Sequence, residues 1–321
     1  MSADVQQRLP VVDTMNLSTT VARELVHRVA FSEVLLTGCR RTGEHHFALS
    51  AQWPRRHSFF ASRYGLHDPM LLAETVRQSI PLILHAEYGV PYGYEFGWAA
   101  FSFRVCPQGL YETRSPAELE LSTVCDDVHM RDGLPVSMTM RTTVWREGEV
   151  VGWSESRFWC RSGAVYQRLR GSYADKEAVF AAAPDPTPAA PGALVGRDQA
   201  LDIVLSPARA PHSWRLRVDT SHPSLFDHPL DHAPGMMCLE AVRQAAQAAQ
   251  DGTRDVLLTE ISVAFDRYIE LDTPCWIDIV PRDDQSDLPP DEVTVKATQQ
   301  GATAFTATAH VTDVVGLRIS S

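Results

Sequence analysis

Apolar and polar residues alternate with period two over Val136, Met138 and Met140 against Ser137, Thr139 and Arg141. The same alternation runs over Phe305, Ala307, Ala309 and Val311 against Thr306, Thr308, His310 and Thr312. Period two predicts half-buried strands. Apolar segments at Phe96 to Val105 and Val256 to Phe265 predict two more. Two stretches depart from alternation, being rich in Leu, Met, Ala and Val nearly all round, and predict helices without a solvent face. In the first, Asp68 suits an N-cap with Pro69 at the first helical position, the helix runs through Leu84 and His85, and Gly89 and Pro91 end it. The second starts near Pro234-Gly235 and stops at Asp251-Gly252. Apolar helices of this kind are expected inside antiparallel sheets that wrap them, an α+β arrangement.

The two helices belong to a repeat. His67-Asp68-Pro69-Met70-Leu71-Leu72-Ala73-Glu74-Thr75-Val76-Arg77-Gln78 matches His232-Ala233-Pro234-Gly235-Met236-Met237-Cys238-Leu239-Glu240-Ala241-Val242-Arg243-Gln244, with Glu-x-x-Arg-Gln in both. Each copy is followed by one of the apolar strands, and Glu147-Gly148 resembles Gln300-Gly301 as a turn between later strands. Order and context together point to duplication rather than chance. A Pro/Ala-rich segment, 181–195, suits a semi-rigid linker between a first repeat at 1–180 and a second at 196–321.

Composition narrows the function. The chain has 321 residues, a net charge of -11 at pH 7 and 44% hydrophobic residues, enough for a substantial core. That charge disfavours tracking of nucleic-acid phosphates. It is uneven: residues 1–175 carry 18 Arg and no Lys against 19 acids, so an acidic partner is expected to prefer the first half, where Arg40, Arg41, Arg55 and Arg56 cluster. No stretch approaches the roughly 20 apolar residues of a membrane helix, and the first ten residues lack signal-peptide order, so a cytoplasmic protein without a membrane partner is expected. Six scattered cysteines predict reduced thiols, and no Cys/His set at zinc spacing predicts a metal or other cofactor.

Glu240, Arg243 and Gln244 project from one helix face, as do Glu74, Arg77 and Gln78. Two readings stand open: a structural i, i+3 ion pair, or a site in which a partly desolvated Glu acts as general base and Arg clamps a phosphate. One copy could be active and the other a relic. Gly235 and Met236 at the second helix start offer free N–H groups for a thioester carbonyl, while Gly235 reads equally as tight packing. His228, Asp231 and His232 precede that helix and could support the site or merely cap and solvate; His57 and His67 read the same way. Metal binding by His228 and His232 lacks further ligands. Cys238 falls about 200 degrees round the helix from Glu240 and reads as core. The tryptophans on strand patterns, Trp98, Trp145, Trp153 and Trp159, read first as core and second as lining of an acyl tunnel.

Pro-Gly-Met-Met at a buried helix start, with Glu five residues after the Gly, resembles the hotdog fold of acyl-thioester dehydratases and thioesterases. Phe226-Asp227-His228-Pro229-Leu230-Asp231-His232 before it, with Trp53-Pro54-Arg55-Arg56-His57 and His85-Ala86-Glu87-Tyr88-Gly89-Val90-Pro91 in the first repeat, is similar to the A-factor synthase family of γ-butyrolactone signal biosynthesis. The resemblance spans roughly residues 23 to 315. It implies a double hotdog, two antiparallel sheets each around a central helix, packed as an intrachain pseudo-dimer able to work as a monomer, with sites between each helix and the opposite repeat. It implies transfer of a β-ketoacyl group from acyl carrier protein to dihydroxyacetone phosphate, then intramolecular condensation to a butenolide phosphate, for a γ-butyrolactone autoregulator or a furan-type signal. Glu74, Arg77, Glu240 and Arg243 carry over as catalytic or substrate-binding, with Gln78 and Gln244 as supports. Dehydratases with this helix have a His nine residues before the Gly; Phe226 stands there, which disfavours dehydration. A thioesterase and a catalytically silent acyl-ligand module are the alternatives.

Overall fold

The structure is a computed structural model, which describes residues 19–208, 210–250, 254–281 and 291–314. In the first repeat the strands are β1 (Leu36–Gly43), β2 (His46–Trp53), β3 (Glu95–Val105), β4 (Ala117–Arg131), β5 (Leu134–Arg146) and β6 (Glu149–Arg161). The second has β7 (Leu205–Pro207), β8 (Ser213–Leu216), β9 (Val256–Phe265), β10 (Cys275–Ile279), β11 (Glu292–Gln299) and β12 (Ala302–Asp313). The helices are α1 (Met70–Ala86), α2 (Gly163–Arg170), α3 (Lys176–Ala181), α4 (Gly192–Val195) and α5 (Gly235–Ala248).

All strands join one antiparallel sheet in the order β1-β2-β4-β5-β6-β3-β9-β12-β11-β10-β8-β7. Read inward from either edge, both halves have the same succession, so a pseudo-twofold axis crosses the sheet between β3 and β9. These two strands pair edge to edge, with Ser102 opposite Ser262 at the centre of the register. The two sheets expected from the resemblance are thus fused into one, because neither inner strand leaves its backbone donors unpaired. Glu147 and Gly148, and likewise Gln300 and Gly301, all have positive φ. Each pair is the two-residue turn whose twist suits a hairpin.

The all-round apolar sequences of α1 and α5 are explained by burial inside the curled sheet halves. Only Arg77 and Ala86 on α1, and Gly235 and Arg243 on α5, are less than fully buried. Helix α1 starts at Met70 with Pro69, not Asp68, at the cap position, one residue later than expected; Asp68 Oδ1 still accepts from the Met70 amide at 2.9 Å. Helix α5 ends at Ala248, and the expected stop at Asp251-Gly252 lies outside the described residues. The stretch 184–191 forms no regular element, α4 follows it, and the Ala190 amide bonds to Leu205. Among the described residues, no helix is long and apolar enough to cross a membrane.

Candidate active site

Each helix carries one buried carboxylate held by two guanidiniums and an amide. On α1, Glu74 Oε1 accepts from Arg28 Nη2 at 2.6 Å, Arg77 Nη2 at 2.8 Å and Gln78 Nε2 at 2.7 Å, while Oε2 accepts from Arg77 Nε at 2.8 Å. On α5, Glu240 accepts from Arg197 Nε and Nη2, both at 2.8 Å, from Arg243 Nε at 2.9 Å and Nη2 at 2.7 Å, and from Gln244 at 2.6 Å. The amide oxygen of Gln78 accepts from the Leu35 amide, and that of Gln244 from the Val204 amide. Arg28 and Arg197 reach across the pseudo-axis: Arg28 Nη1 donates to the Ser224 carbonyl at 2.7 Å, and Arg197 Nη1 to the Phe59 carbonyl at 2.9 Å. His57 and His222 brace those turns, each Nδ1 accepting two amides of its own loop.

This arrangement bears on the base role expected of the two glutamates. Burial would raise the pKa of Glu74, but Arg28, Arg77 and Gln78 outweigh it and hold the carboxyl down at about 2. Burial is likewise outweighed at Glu240, where Arg197 and Arg243 hold the carboxyl far below the carboxylate range. A carboxylate so stabilised is a weak proton acceptor. Neither glutamate borders open space; the geometry makes them anchors for guanidiniums.

Open space lies elsewhere, in a cavity of about 410 Å³ between the start of α5 and the first repeat. Of the expected site residues, Arg77, Gly235, Met236, His228 and His232 line it, whereas Glu74, Gln78, Glu240, Arg243 and Gln244 do not. Arg243 therefore cannot clamp a phosphate there. Ile80, Phe96, Trp98, Phe158 and Phe265 supply apolar walls. Trp98 and Trp159 join the lining, while Trp145 and Trp153 do not. A Cβ on Gly235 would come within 2.6 Å of the Trp98 ring, so tight packing from the opposite repeat requires the glycine. Cys238 borders the cavity too, but burial pushes its thiol pKa up strongly, leaving it a poor nucleophile.

His232 is the best-oriented titratable group on the wall. Asp231, fully buried, accepts from His232 Nδ1 at 2.7 Å, Tyr166 Oη at 2.7 Å and Arg170 Nε at 2.8 Å. Burial would raise the pKa of Asp231, but these three partners hold it well below the usual range. A carboxylate can only accept, so Nδ1 carries a proton and Nε2 is the ring nitrogen not engaged by Asp231. Arg170 is fixed at its other end by Glu270 at 2.6 Å and 2.7 Å. The neighbouring Asp227 pairs with His228 at 2.7 Å and accepts from the Val29 amide at 2.8 Å, tying the first repeat to the cavity rim.

The pseudo-equivalent place at the start of α1 is closed. Asp68 Oδ2 stands 3.5 Å from Arg197 Nη2, and His67, the counterpart of His232, is buried. Sequence reading missed Arg28, Arg197 and the orienting role of Asp231. Arg28 and Glu33 share with Arg197 and Asp202 a separation of 169 residues, a signal that extends the repeat upstream of the helices. None of Arg40, Arg41, Arg55 and Arg56 lines the cavity; its wall cations include Arg161, Lys176 and Arg267. Among the described residues, no group of three or more His, Cys, Asp or Glu could hold a metal.

A duplicated buried helix in a curled antiparallel sheet, with one cavity built by both halves, defines a double-hotdog protein. The chain belongs to the A-factor biosynthesis hotdog domain family, whose model matches residues 12–162 and 180–315. A 2-oxo-3-(phosphooxy)propyl 3-oxoalkanoate synthase of Streptomyces virginiae is 46% identical over 265 residues, covering 83% of this chain and 88% of that protein. A synthase of the same name from Streptomyces coelicolor is 39% identical, covering 82% of each. Among solved structures, an acyl-ACP thioesterase from Bacteroides thetaiotaomicron shares the fold at TM-score 0.51 and 11% identity, over 83% of this chain and 98% of that one.

Proposed function

We propose that the protein transfers a 3-oxoacyl group from a carrier-protein thioester to the hydroxyl of dihydroxyacetone phosphate, forming the ester named in its relatives, and then promotes intramolecular condensation to a butenolide phosphate. The observation that carries this reading is the Asp231–His232 pair opening on an apolar cavity that also holds Arg77 and the start of α5. His232 Nε2 takes the acceptor's hydroxyl proton as its oxygen bonds to the thioester carbon. Asp231 stabilises the imidazolium so formed. Amides of Gly235 and Met236 meet the developing oxyanion. The C–S bond then breaks, and the leaving sulfur receives the proton from His232. In the condensation, the carbon between the two carbonyls of the ester adds to the acceptor's ketone to form a C=C bond, and the two hydrogens of that carbon leave with the ketone oxygen as one water.

Arg77 has one guanidinium edge on Glu74 and lines the cavity, which suits it to the acceptor's phosphate. Glu74 and Gln78 position Arg77; Glu240, Arg243 and Gln244 brace the second repeat around α5. Arg161 and Arg267, both on the cavity lining, are cations suited to an acidic carrier protein. The closed start of α1 favours a single active site per chain, built from repeats 1–180 and 196–321 across the 181–195 linker, in a cytoplasmic enzyme.

The test is to incubate the protein with a 3-oxoacyl thioester and dihydroxyacetone phosphate and analyse the products by mass spectrometry. Phosphorylated ester or butenolide supports the synthase. Free 3-oxo acid regardless of acceptor would mark a thioesterase, and ligand retention without turnover a binding module.

A further inference from the structure

We propose that the acceptor's phosphate is seated between Arg77 Nη1 and His27 Nδ1, and that one proton enters the site with it, held between a phosphate oxygen and the His27 ring. The inference rests on the acyl-transfer reading of the cavity and adds to it a second phosphate ligand and a proton count.

His27 closes the short helical turn Arg23–Val26 in the left-handed region, φ 52°, and its ring joins Arg77, Lys176 and His228 on the cavity lining. The ring stacks on Phe96, with centroids 5.1 Å apart. Its Nε2 lies 2.8 Å from Nε2 of His85, whose Nδ1 lies 2.7 Å from the Val90 carbonyl. A carbonyl only accepts, so His85 Nδ1 carries a proton. Burial, then the fields of His85, Arg77, His228 and Lys176, holds His27 down at about 3, and burial lowers His85 as well, so both rings are neutral at pH 7. The proton between the rings therefore belongs to His27 Nε2, and His27 Nδ1 is left with a bare lone pair.

That nitrogen and the guanidinium end beside it are open to a ligand. Among the described residues neither His27 Nδ1 nor Arg77 Nη1 has a hydrogen-bond partner, and neither belongs to the buried atoms without one, so each keeps accessible surface. The carboxylates of the neighbourhood are engaged elsewhere: Glu74 with Arg28 and Arg77, Glu95 with Lys176, and Asp227 with His228 and two backbone amides. An arriving anion thus meets cations and a lone pair. A lone pair repels a phosphate oxygen unless a proton stands between them. A monoester dianion must draw that proton from water, while the monoanion, present below a second pKa of about 6, brings its own. A phosphodiester, such as tethers a carrier protein's prosthetic group, has one charge and no ionisable hydrogen at neutral pH, so the site suits the acceptor's monoester.

Calorimetry with dihydroxyacetone phosphate, in two buffers of unlike ionisation enthalpy, counts the protons. Wild type is expected to take up about one proton per molecule bound at pH 8 and close to none at pH 5. Dimethyl phosphate is expected to bind more weakly by about tenfold, without uptake. His27→Asn, a residue that tolerates the left-handed backbone, is expected to abolish the uptake at pH 8 and to weaken binding there about tenfold, whereas His228→Asn keeps the proton count. No uptake by wild type, uptake that survives His27→Asn, or equal binding of the diester would overturn the assignment. Nitrogen-15 NMR of histidine-labelled wild type reads the same event without a substitution: one ring is expected to lose its acceptor Nδ1 signature on binding, and no such change would also overturn it. Proton-linked phosphate binding by a protein that forms no ester would remove the proposed reaction and keep this inference. Ester formation without proton uptake would do the reverse.

Discussion

Arg28 of the first repeat and Ser224 of the second are joined by a 2.7 Å hydrogen bond from guanidinium to backbone carbonyl, while the same guanidinium holds Glu74. The pseudo-axis reproduces this with Arg197, Phe59 and Glu240. The ion clusters therefore act at once as helix anchors and as latches between repeats.

Removing a carboxylate from such a cluster strands two guanidiniums. Glu240→Ala is expected to destabilise the protein by about 3–5 kcal/mol, because Arg243 and Arg197 lose their shared buried counter-charge and Asp68, 3.5 Å from Arg197, is left opposite them. Arg243→Ala leaves Glu240 paired with Arg197 and is expected to cost clearly less. Denaturant unfolding of the two variants measures the order; equal costs would contradict the latch.

His232→Ala is expected to lower kcat about 10²- to 10⁴-fold with a melting temperature near wild type, since the side chain is partly exposed on the cavity wall. Asp231→Asn is expected to lose both activity and stability, because it withdraws charge from the buried Arg170. Steady-state kinetics beside thermal melts separates the two patterns.

Two windows of acid sensitivity follow from depressed pKa values. Burial, with the nearby His85 and Arg77, lowers His27 from 6.5 to about 3, so unfolded chains bind its proton first and stability declines as pH falls below 6.5. Glu74, lowered from 4.5 to about 2, contributes stability that is complete above 4.5 and is lost towards pH 2. Urea unfolding between pH 7 and 3 is expected to show a shallower pH dependence below 4.5 in Glu74→Gln, and below 6.5 in His27→Asn.

Gly235→Ala is expected to cost about 1–3 kcal/mol through its contact with Trp98, and to be rescued in part by Trp98→Leu. A double-mutant cycle on melting free energies measures the coupling. Additive effects would show that the ring does not set the need for glycine.

Much of the fold was legible because its signals are local. Period two marked β5 and β12, and all-round apolar sequence marked α1 and α5. The duplicated Glu-x-x-Arg-Gln marked the two clusters, though not their partners Arg28 and Arg197, which arrive from 46 and 43 residues upstream. A lone arginine in a loop carries no periodic signal. Which repeat opens a cavity was also beyond pattern reading: the first repeat has Asp68, whose charge faces Arg197, where the second has Ala233. The orientation of the Asp231–His232 pair depended on Tyr166 and Arg170, delivered by a helix more than 60 residues away.

The seam between β3 and β9 has a genetic consequence. Arg77 and Trp98 come from one half of the gene, and Gly235 and His232 from the other, yet a single polypeptide encloses them all. Under the proposed reaction, two differently damaged alleles, one altered at Arg77 and one at His232, would each spoil the same intrachain cavity, so neither product would carry an intact one.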